Sequence, residues 1–170
     1  MNQGPFLIIN AQQLAANISA IVSKCNALSI DYRAHVKTIH DPHLSDFLNQ
    51  HNVDKIAVSN CDMMQQFAAH GWQDISLAST CGYSLDAIQQ VLDQGVLVTV
   101  YVDHPHHVSA LSSLRGDLQL CIDIDCGQHR TGILWSSNER IMDLIALIEA
   151  SPHQFSGISA HFGQLYHCES

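Results

Sequence analysis

The chain has 170 residues, of which 46% are apolar and 14% charged, and its formal net charge is −9 with histidine neutral. This length is typical of one globular domain with its own hydrophobic core. Seven lysines and arginines against sixteen acidic residues argue against a nucleic-acid-binding protein, which needs a basic surface. The chain shows no basic, apolar targeting segment at its start, and no stretch approaches the roughly 20 apolar residues that span a bilayer. We therefore expect a cytoplasmic protein that does not bind membranes.

The cysteines and histidines give little indication of a metal site. None of the six cysteines forms a C-x-x-C pair, so we expect reduced thiols and no zinc site. His104, His106 and His107 lie together around Pro105. A metal site there and a solvated loop that leads into a helix both remain open. No pair of histidines has convincing ligand spacing, and we assign no metal ligand.

Apolar periodicity predicts strands that alternate with helices along the chain. A short apolar strand is predicted at 6–9, followed by a helix over 11–27 that Asn10 caps. Six further strands are predicted at 30–37, 55–58, 74–78, 96–103, 118–125 and 155–161. Helices between them are predicted at 41–48, 62–70, 84–94 and 106–114, and a last helix through 149. Ser84 is predicted to cap the third of these helices, and Ser137 or Asn138 the last.

This alternation implies an α/β fold with parallel strands joined by helical crossovers. Two architectures are consistent with this pattern, an open doubly wound sheet and a (β/α)8 TIM-type barrel. A dinucleotide-binding sheet carries G-x-G-x-x-G after its first strand. Here that place holds His35-Val36-Lys37-Thr38, so the dinucleotide fingerprint is absent.

The strand predicted at 30–37 carries an unusual polar face. Arg33, His35 and Lys37 alternate with apolar residues, and a period of two places all three on one face. Burying such basic groups unpaired costs several kcal/mol each, roughly. Lys37 at the carboxyl end of this strand therefore indicates a functional site. An exposed edge strand with a solvated polar face is the alternative.

Three later strands repeat this polar face. Polar or small residues alternate with apolar ones in each of them, namely Thr99, Tyr101 and Asp103, then Gln119, Cys121, Asp123 and Asp125, then Gly157, Ser159 and His161. Parallel strands buried on both faces are normally apolar throughout. A recurring polar face with reactive residues at the carboxyl ends is typical of a barrel interior that opens into an active site.

Three ordered motifs give the chain a family resemblance. Arg33-Ala34-His35-Val36-Lys37-Thr38 resembles the RPHxKT segment of D-threonine aldolases and D-serine dehydratases, which are alanine-racemase-like, fold-type III pyridoxal-phosphate enzymes. Residues 122–132 resemble their fifth-strand motif, (V/I)DxGxxRTG, and residues 157–163 resemble the sixth-strand motif that ends in histidine. The resemblance covers the whole chain, so residues 1–170 are interpreted as an alanine racemase-like N-terminal barrel domain.

The resemblance implies pyridoxal 5'-phosphate as cofactor, with Lys37 forming the internal aldimine. Arg130 would lie near the phenolic oxygen of the cofactor, and His161 would pack on or near its pyridine ring. Asp125 would either orient Arg130 or cap the turn at Gly127. The implied cofactor-binding residues are His35, Lys37, Asp125, Arg130 and His161, and the implied catalytic residues are Lys37 and His161. A loop arginine paired to an aspartate and a satisfied core histidine are the alternatives for Arg130 and His161.

The implied activity is aldol cleavage, dehydration or racemisation of a small D-amino acid or β-hydroxy amino acid. A complete barrel needs roughly 250 residues, so we expect a partial barrel of about six βα units that lacks the last strands and the C-terminal β-domain. Its first and sixth strands would have open edges. We therefore expect a homodimer or pairing with the missing C-terminal portion. The alternative function is an inactive truncated homologue, or a cofactor-binding half-barrel that associates with a partner.

Overall fold

The computed structural model describes residues 8–167, which form seven β-strands and six α-helices. The strands are β1 (Ala34–His35), β2 (Ile56–Val58), β3 (Asp74–Leu77), β4 (Leu97–Val102), β5 (Leu118–Asp125), β6 (Ile133–Leu134) and β7 (Gln154–Ala160). The α-helices are α1 (Ala11–Ala27), α2 (Asp46–Asn49), α3 (Cys61–Ala69), α4 (Leu85–Leu92), α5 (Pro105–Leu111) and α6 (Asn138–Glu149). Short 3-10 helices lie at Val36–Thr38, Pro42–Ser45 and Gly163–His167.

All strand pairings are parallel, and the sheet order is β1-β2-β3-β4-β5-β7. The two-residue strand β6 pairs with the carboxyl end of β5, beyond the last residue that β4 pairs. The order follows the sequence without the reversal that defines a doubly wound sheet. The open doubly wound alternative is therefore excluded.

The sheet is strongly curved. β1 and β7 are five strand spacings apart in the sheet order, which in a flat sheet places them about 24 Å apart. Yet His35 of β1 and Ser159 of β7 line one cavity. The sheet must therefore curl on itself, and the predicted partial (β/α)8 barrel is confirmed.

The hydrophobic core lies between the outer face of the sheet and the helices. Ile56, Ile75 and Ile122 are fully buried on the strands, and Phe67 of α3 and Ile88 of α4 are fully buried on the helices. Burying each such side chain contributes about 1.5–3 kcal/mol. This packing fixes the opposite strand face toward the interior of the curved sheet.

Side chains cap the helices at several predicted positions. Asn10 Oδ1 accepts a hydrogen bond from Gln13 N at 3.0 Å, and Ser84 Oγ accepts one from Ala87 N at 3.3 Å, so both predicted caps are confirmed. Each cap satisfies a backbone N–H that has no partner within the helix. Ser137 precedes α6 without a side-chain cap bond. In the described part of the chain, no helix combines the length and apolar character needed to cross a membrane.

Two strand predictions need correction, and one observed strand was not predicted. The strand predicted at 30–37 is confined to Ala34–His35, because its partner β2 has three residues and the chain turns into a 3-10 helix at Val36. Of the strand predicted at 6–9, residues 6 and 7 lie outside the described residues, and residues 8 and 9 are not in a strand. The strand β6 was not predicted, since two residues are too few to show periodicity.

The three histidines around Pro105 mark the start of a helix. His104 is the residue before α5, and its Nδ1 accepts a hydrogen bond from His106 N at 3.2 Å. Its ring stacks on that of His106, with the ring centroids 5.4 Å apart. Both residues are exposed. This geometry favours the solvated loop that leads into a helix over a metal site.

Candidate functional site

A cavity of about 610 Å³ opens at the carboxyl ends of the strands. Its lining comes from every strand except β3 and β6, together with the segments that follow β1, β2, β3, β5 and β7. Small-molecule sites typically occupy about 300–1,000 Å³. The cavity is therefore large enough for a cofactor and lies where barrel enzymes place their active sites.

The cavity is basic although the chain is acidic. Arg33, Lys37 and Arg130 line it, and they are three of only seven lysines and arginines in the chain. The lining contains one carboxylate, that of Asp123. This concentration of positive charge favours an anionic ligand.

The polar face predicted for the first strand does point into the cavity. Arg33, His35 and Lys37 all line it, although Lys37 lies in the 3-10 turn that follows β1. Lys37 N donates to His35 Nδ1 at 3.3 Å, which ties the turn to the strand. Partial burial lowers the pKa of the His35 ring, and the neighbouring Lys37 and His161 act in the same direction. His35 and His161 both line the cavity, so the end of β7 faces β1 across it.

Arg33 is held in the cavity wall by an acidic partner. Its Nη1 and Nη2 donate to the two carboxylate oxygens of Asp74 at 2.8 and 3.1 Å, and Nη1 also contacts Ile56 O at 3.1 Å. The two side chains are 27% and 24% exposed. This bidentate pair offsets the cost of partly burying the guanidinium. Arg33 is therefore neutralised within the cavity wall by Asp74.

Asp125 caps the turn that follows β5. Its Oδ1 accepts hydrogen bonds from Gly127 N at 2.9 Å and from His129 N at 3.0 Å, and its Oδ2 lies 2.9 Å from His129 Nδ1. These bonds, led by the one from Gly127, hold the pKa of Asp125 below its usual range. Of the two roles considered for Asp125, the structure shows the turn cap. Asp125 lines a small recess beside the main cavity, which Arg130 and His161 also line.

The loop that carries Arg130 is fixed at its return to the sheet. Gly132 N donates to Asp103 Oδ2 at 3.0 Å, and Thr131 Oγ1 donates to Asp123 Oδ2 at 2.8 Å. Gly132 has φ +99°, and a Cβ there would lie 2.6 Å from Asp125 N. Only glycine fits so close to the β5 backbone. The arrangement places Arg130 beside the cavity.

Asp123 is a buried acid directly beneath this loop. It is 7% exposed, and burial raises the pKa of its carboxyl. The Thr131 hydrogen bond and the nearby Arg130 and His161 oppose that shift. Asp123 thus lies in the cavity wall, on the polar face that the alternation of its strand predicts.

His161 follows β7 and lines both the cavity and the recess. Its carbonyl oxygen accepts a hydrogen bond from Cys126 Sγ at 3.5 Å, and Gln164 Nε2 donates to Cys126 O at 3.0 Å. These contacts join the end of β7 to the turn after β5. The structure therefore brings Lys37, Arg130 and His161 to one cavity from separate places in the sequence.

Sequence reasoning missed the residues that line the cavity after β2 and β3. These are Ser59, Ser79, Thr80 and Cys81. The available signal was their position directly after predicted strands, since the carboxyl ends of parallel strands meet at one edge of the sheet. Tyr101 and Ser159, in contrast, belong to the predicted polar faces and do line the cavity.

Comparison with known proteins gives consistent matches. The family model described as alanine racemase, N-terminal domain, matches residues 9–169. D-threo-3-hydroxyaspartate dehydratase from Delftia sp. (strain HT23) is 22% identical over 171 residues, which cover 98% of this chain and 45% of that protein. The chain therefore spans less than half the length of this curated relative.

Solved structures show the same fold. The Delftia dehydratase superposes with a TM-score of 0.84 at 21% identity, over 95% of this chain and 44% of the other. D-threonine aldolase from Filomicrobium marinum gives a TM-score of 0.84 at 15% identity, over 92% and 43%. An alanine racemase-like protein from Idiomarina loihiensis gives 0.83 at 22% identity, over 99% and 45%.

These matches confirm the resemblance found in the three sequence motifs. The family model covers the described structure from the residue before Asn10 to beyond the last strand. The chain belongs to the alanine racemase N-terminal domain family.

Proposed function

We propose that this chain is the cofactor-binding N-terminal portion of a pyridoxal-phosphate-dependent enzyme, with Lys37 as the residue that attaches the cofactor through its Nζ. The observation that carries the proposal is the convergence of Lys37, Arg130 and His161 on one basic cavity. These residues come from three separate strand ends, and each belongs to one of the three motifs that resemble the family. Membership of the alanine racemase family supports the same cofactor.

The residues of the cavity fit this cofactor in size and chemistry. A volume of about 610 Å³ accommodates an aromatic ring with its phosphate. Lys37 and Arg130 supply positive charge, and Ser59, Ser79 and Thr80 add hydroxyl groups on the neighbouring strand ends. Charged donors and hydroxyls together are the groups that bind a phosphorylated ligand.

Each residue of the proposed site has a distinct task. Arg130 supplies a cation for the phenolic oxygen of the cofactor, and Asp125 holds the turn from which Arg130 extends. His161 and His35 flank Lys37 on the cavity wall. Lys37 and His161 are the proposed catalytic groups, because both line the cavity and both carry a nitrogen that can accept or donate a proton. When bound, the cofactor supplies an electron sink for negative charge at the substrate Cα.

We propose a small D-amino acid or β-hydroxy amino acid as the substrate of the complete enzyme. The relatives named D-threo-3-hydroxyaspartate dehydratase and D-threonine aldolase support this class. Because the chain spans about 45% of the dehydratase, we propose that activity requires either a second copy, as a homodimer, or a C-terminal portion. The exposed β7 residue Ile158, at 64%, favours such pairing.

The second candidate is a half-barrel that binds the cofactor without turnover, and the span of only 45% of the dehydratase supports it. Both candidates predict cofactor binding and differ only in catalysis. Turnover of D-threonine, D-serine or D-threo-3-hydroxyaspartate in the presence of a divalent metal ion would establish the enzyme. Binding of the cofactor with no turnover of any of the three would establish the inactive half-barrel.

Cofactor attachment is tested by titrating the purified chain with pyridoxal phosphate. We expect a visible absorbance band and, after borohydride reduction, a covalent adduct that peptide mass spectrometry locates at Lys37. Both signals should disappear in Lys37→Ala. The matched control is Lys24→Ala, since Lys24 is an exposed lysine of α1, and it should behave as wild type. An unchanged band and adduct in Lys37→Ala would overturn the assignment.

A further inference from the structure

A second cluster of ligand-type side chains lies away from the cavity. It consists of His43, Asp46 and His70, whose ligand atoms all lie within 4.8 Å of one another. None of the three lines the cavity. Helix α3 runs from the carboxyl end of β2 toward the amino end of β3. His70, at the end of α3, therefore lies near the amino ends of the strands, whereas Lys37 lies near their carboxyl ends.

The local backbone places two of these side chains on one surface. His43 lies in the 3-10 helix Pro42–Ser45, and Asp46 begins α2 directly after it. Residues three apart in a 3-10 helix lie one above the other. His70 comes from a different element, the residue that caps the carboxyl end of α3. The cluster therefore bridges two segments that are 24 residues apart in the sequence.

Contacts beside the cluster hold both segments in place. Ser45, which lies between His43 and Asp46 in the sequence, is fully buried. Its Oγ accepts a hydrogen bond from Trp72 Nε1 at 2.8 Å. Trp72, two residues after His70, is 3% exposed. His43 N donates to Asp41 Oδ1 at 3.0 Å. The two backbones are thus positioned independently of the three ligand side chains, which is the preorganisation that a metal site needs.

We propose that His43, Asp46 and His70 bind one divalent transition-metal ion, with zinc as the best match. Imidazole and carboxylate ligands suit zinc, copper and nickel, whereas calcium and magnesium prefer oxygen ligands throughout. Two histidines and one carboxylate form a common three-ligand zinc set, with water in the fourth position. The Asp46 side chain is 49% exposed, so solvent can reach that position.

The distances require only small side-chain movements. Around tetrahedral zinc, with bonds of about 2.0–2.1 Å, neighbouring ligand atoms lie about 3.3 Å apart. His70 Nε2 and Asp46 Oδ1 are 2.8 Å apart, and the His43 and His70 rings meet edge to face with centroids 4.9 Å apart. Rotation of the exposed His43 ring brings its nitrogen within range. The bound ion joins the segment after Lys37 to the end of α3 and so stabilises the fold without taking part in chemistry at the cavity.

The test uses the full chain without an affinity tag or cofactor, after removal of metal by a chelator. Cobalt(II) serves as the spectroscopic probe, and zinc competes for the same site. We expect one ion per chain at micromolar concentration, visible absorption typical of tetrahedral cobalt, and a rise in melting temperature of roughly 5 °C with excess zinc.

Variants assign the ligands. His43→Ala and Asp46→Asn should each weaken zinc binding at least roughly tenfold and abolish the thermal shift, because each removes one of three protein ligands. Circular dichroism without metal checks that both variants remain folded. The matched control is the double variant His104→Ala/His106→Ala, which removes the other exposed histidine pair and should bind zinc as wild type does.

Several results would overturn the proposal. Wild-type protein that binds no ion at micromolar concentration would do so, as would unchanged zinc affinity in His43→Ala. Loss of binding only in the His104→Ala/His106→Ala control would place the ion at the start of α5. Intense sulfur-to-cobalt absorption in the near ultraviolet would place it on a cysteine.

Discussion

The neighbouring strands β5 and β7 have similar sequence patterns and very different surroundings. Ile122 of β5 and Ile158 of β7 are register partners across the ladder, yet Ile122 is fully buried and Ile158 is 64% exposed. β5 lies between β4 and β7, whereas in residues 8–167 β7 pairs with β5 alone. Alternation in the sequence therefore tells which face a residue occupies, and the neighbouring elements decide whether that face is covered.

The largest expected change in stability comes from truncating Ile122, and truncating its register partner Ile158 gives the comparison. Ile122→Ala should lower the free energy of unfolding by about 3 kcal/mol, because it leaves a cavity in a packed core. Ile158→Ala should change it by about 0.5 kcal/mol or less, since the side chain is mostly in solvent. Urea unfolding of both variants at equal protein concentration measures the difference.

A large loss in Ile158→Ala would mean that a second copy covers β7 in solution. That loss would then grow with protein concentration, because association contributes to stability by mass action. Equal, concentration-independent losses in both variants would contradict the contrast between the two strands.

At the other edge of the sheet, β1 pairs with β2, and an ion pair also links the residue before β1, Arg33, to Asp74 of β3. Arg33 and Asp74 should show a coupling free energy of about 1 kcal/mol, at the upper end for partly exposed pairs because their contact is bidentate. A double-mutant cycle with Arg33→Ala and Asp74→Ala measures this coupling. Coupling within error of zero would show that the pair does not hold β1 and β3 together.

The smallest expected effect is a difference in the pH dependence of stability between two aspartates of β5, Asp123 and Asp125. Burial raises the pKa of Asp123, so its carboxyl makes the fold less stable as pH rises through that pKa. Asp123→Asn should therefore gain stability relative to wild type as pH rises from below 3.8, the ordinary aspartate pKa, toward neutrality. The amide oxygen of asparagine can still accept the Thr131 hydrogen bond.

Asp125 should show the opposite sign. Its pKa is lowered by the backbone hydrogen bonds from Gly127 and His129, so its stabilising contribution is present above the ordinary pKa and is lost as pH falls. Asp125→Asn should therefore lose stability relative to wild type as pH rises. Thermal melts of both variants from pH 3 to 7 measure the trends. If the two variants changed stability in the same direction with pH, the opposite pKa shifts of Asp123 and Asp125 would be contradicted.

Local patterns allowed much of the fold to be predicted from the sequence. Helix α1 has the predicted bounds, and the six strands predicted from 30–37 onward are observed in order with helices between them, because periodicity and capping depend on nearby residues. The short β1 and the unpredicted β6 depend instead on how far their partners extend. No local pattern shows a two-residue ladder.

Part of the candidate site could likewise be predicted from local sequence motifs, and part depends on tertiary contacts. Lys37, Arg130 and His161 meet because the ends of parallel strands lie at one edge of the sheet, so motif order was enough to place them together. The Arg33–Asp74 pair spans 41 residues, and the cluster of His43, Asp46 and His70 joins separate elements. Such contacts depend on tertiary packing that periodicity does not encode.

The close approach of Gly132 to β5 has an entropic consequence for ligand binding. The chain leaves β5 at Asp125 and returns beside it at once, where Leu134 pairs with Asp125. The ordering of this short loop is thus already complete in the folded protein. Ordering a free backbone costs about 1–2 kcal/mol per residue, whereas immobilising one long side chain costs about 1.5–2 kcal/mol. An anion that binds Arg130 therefore meets the cost of one side chain and avoids the larger cost of ordering several loop residues together.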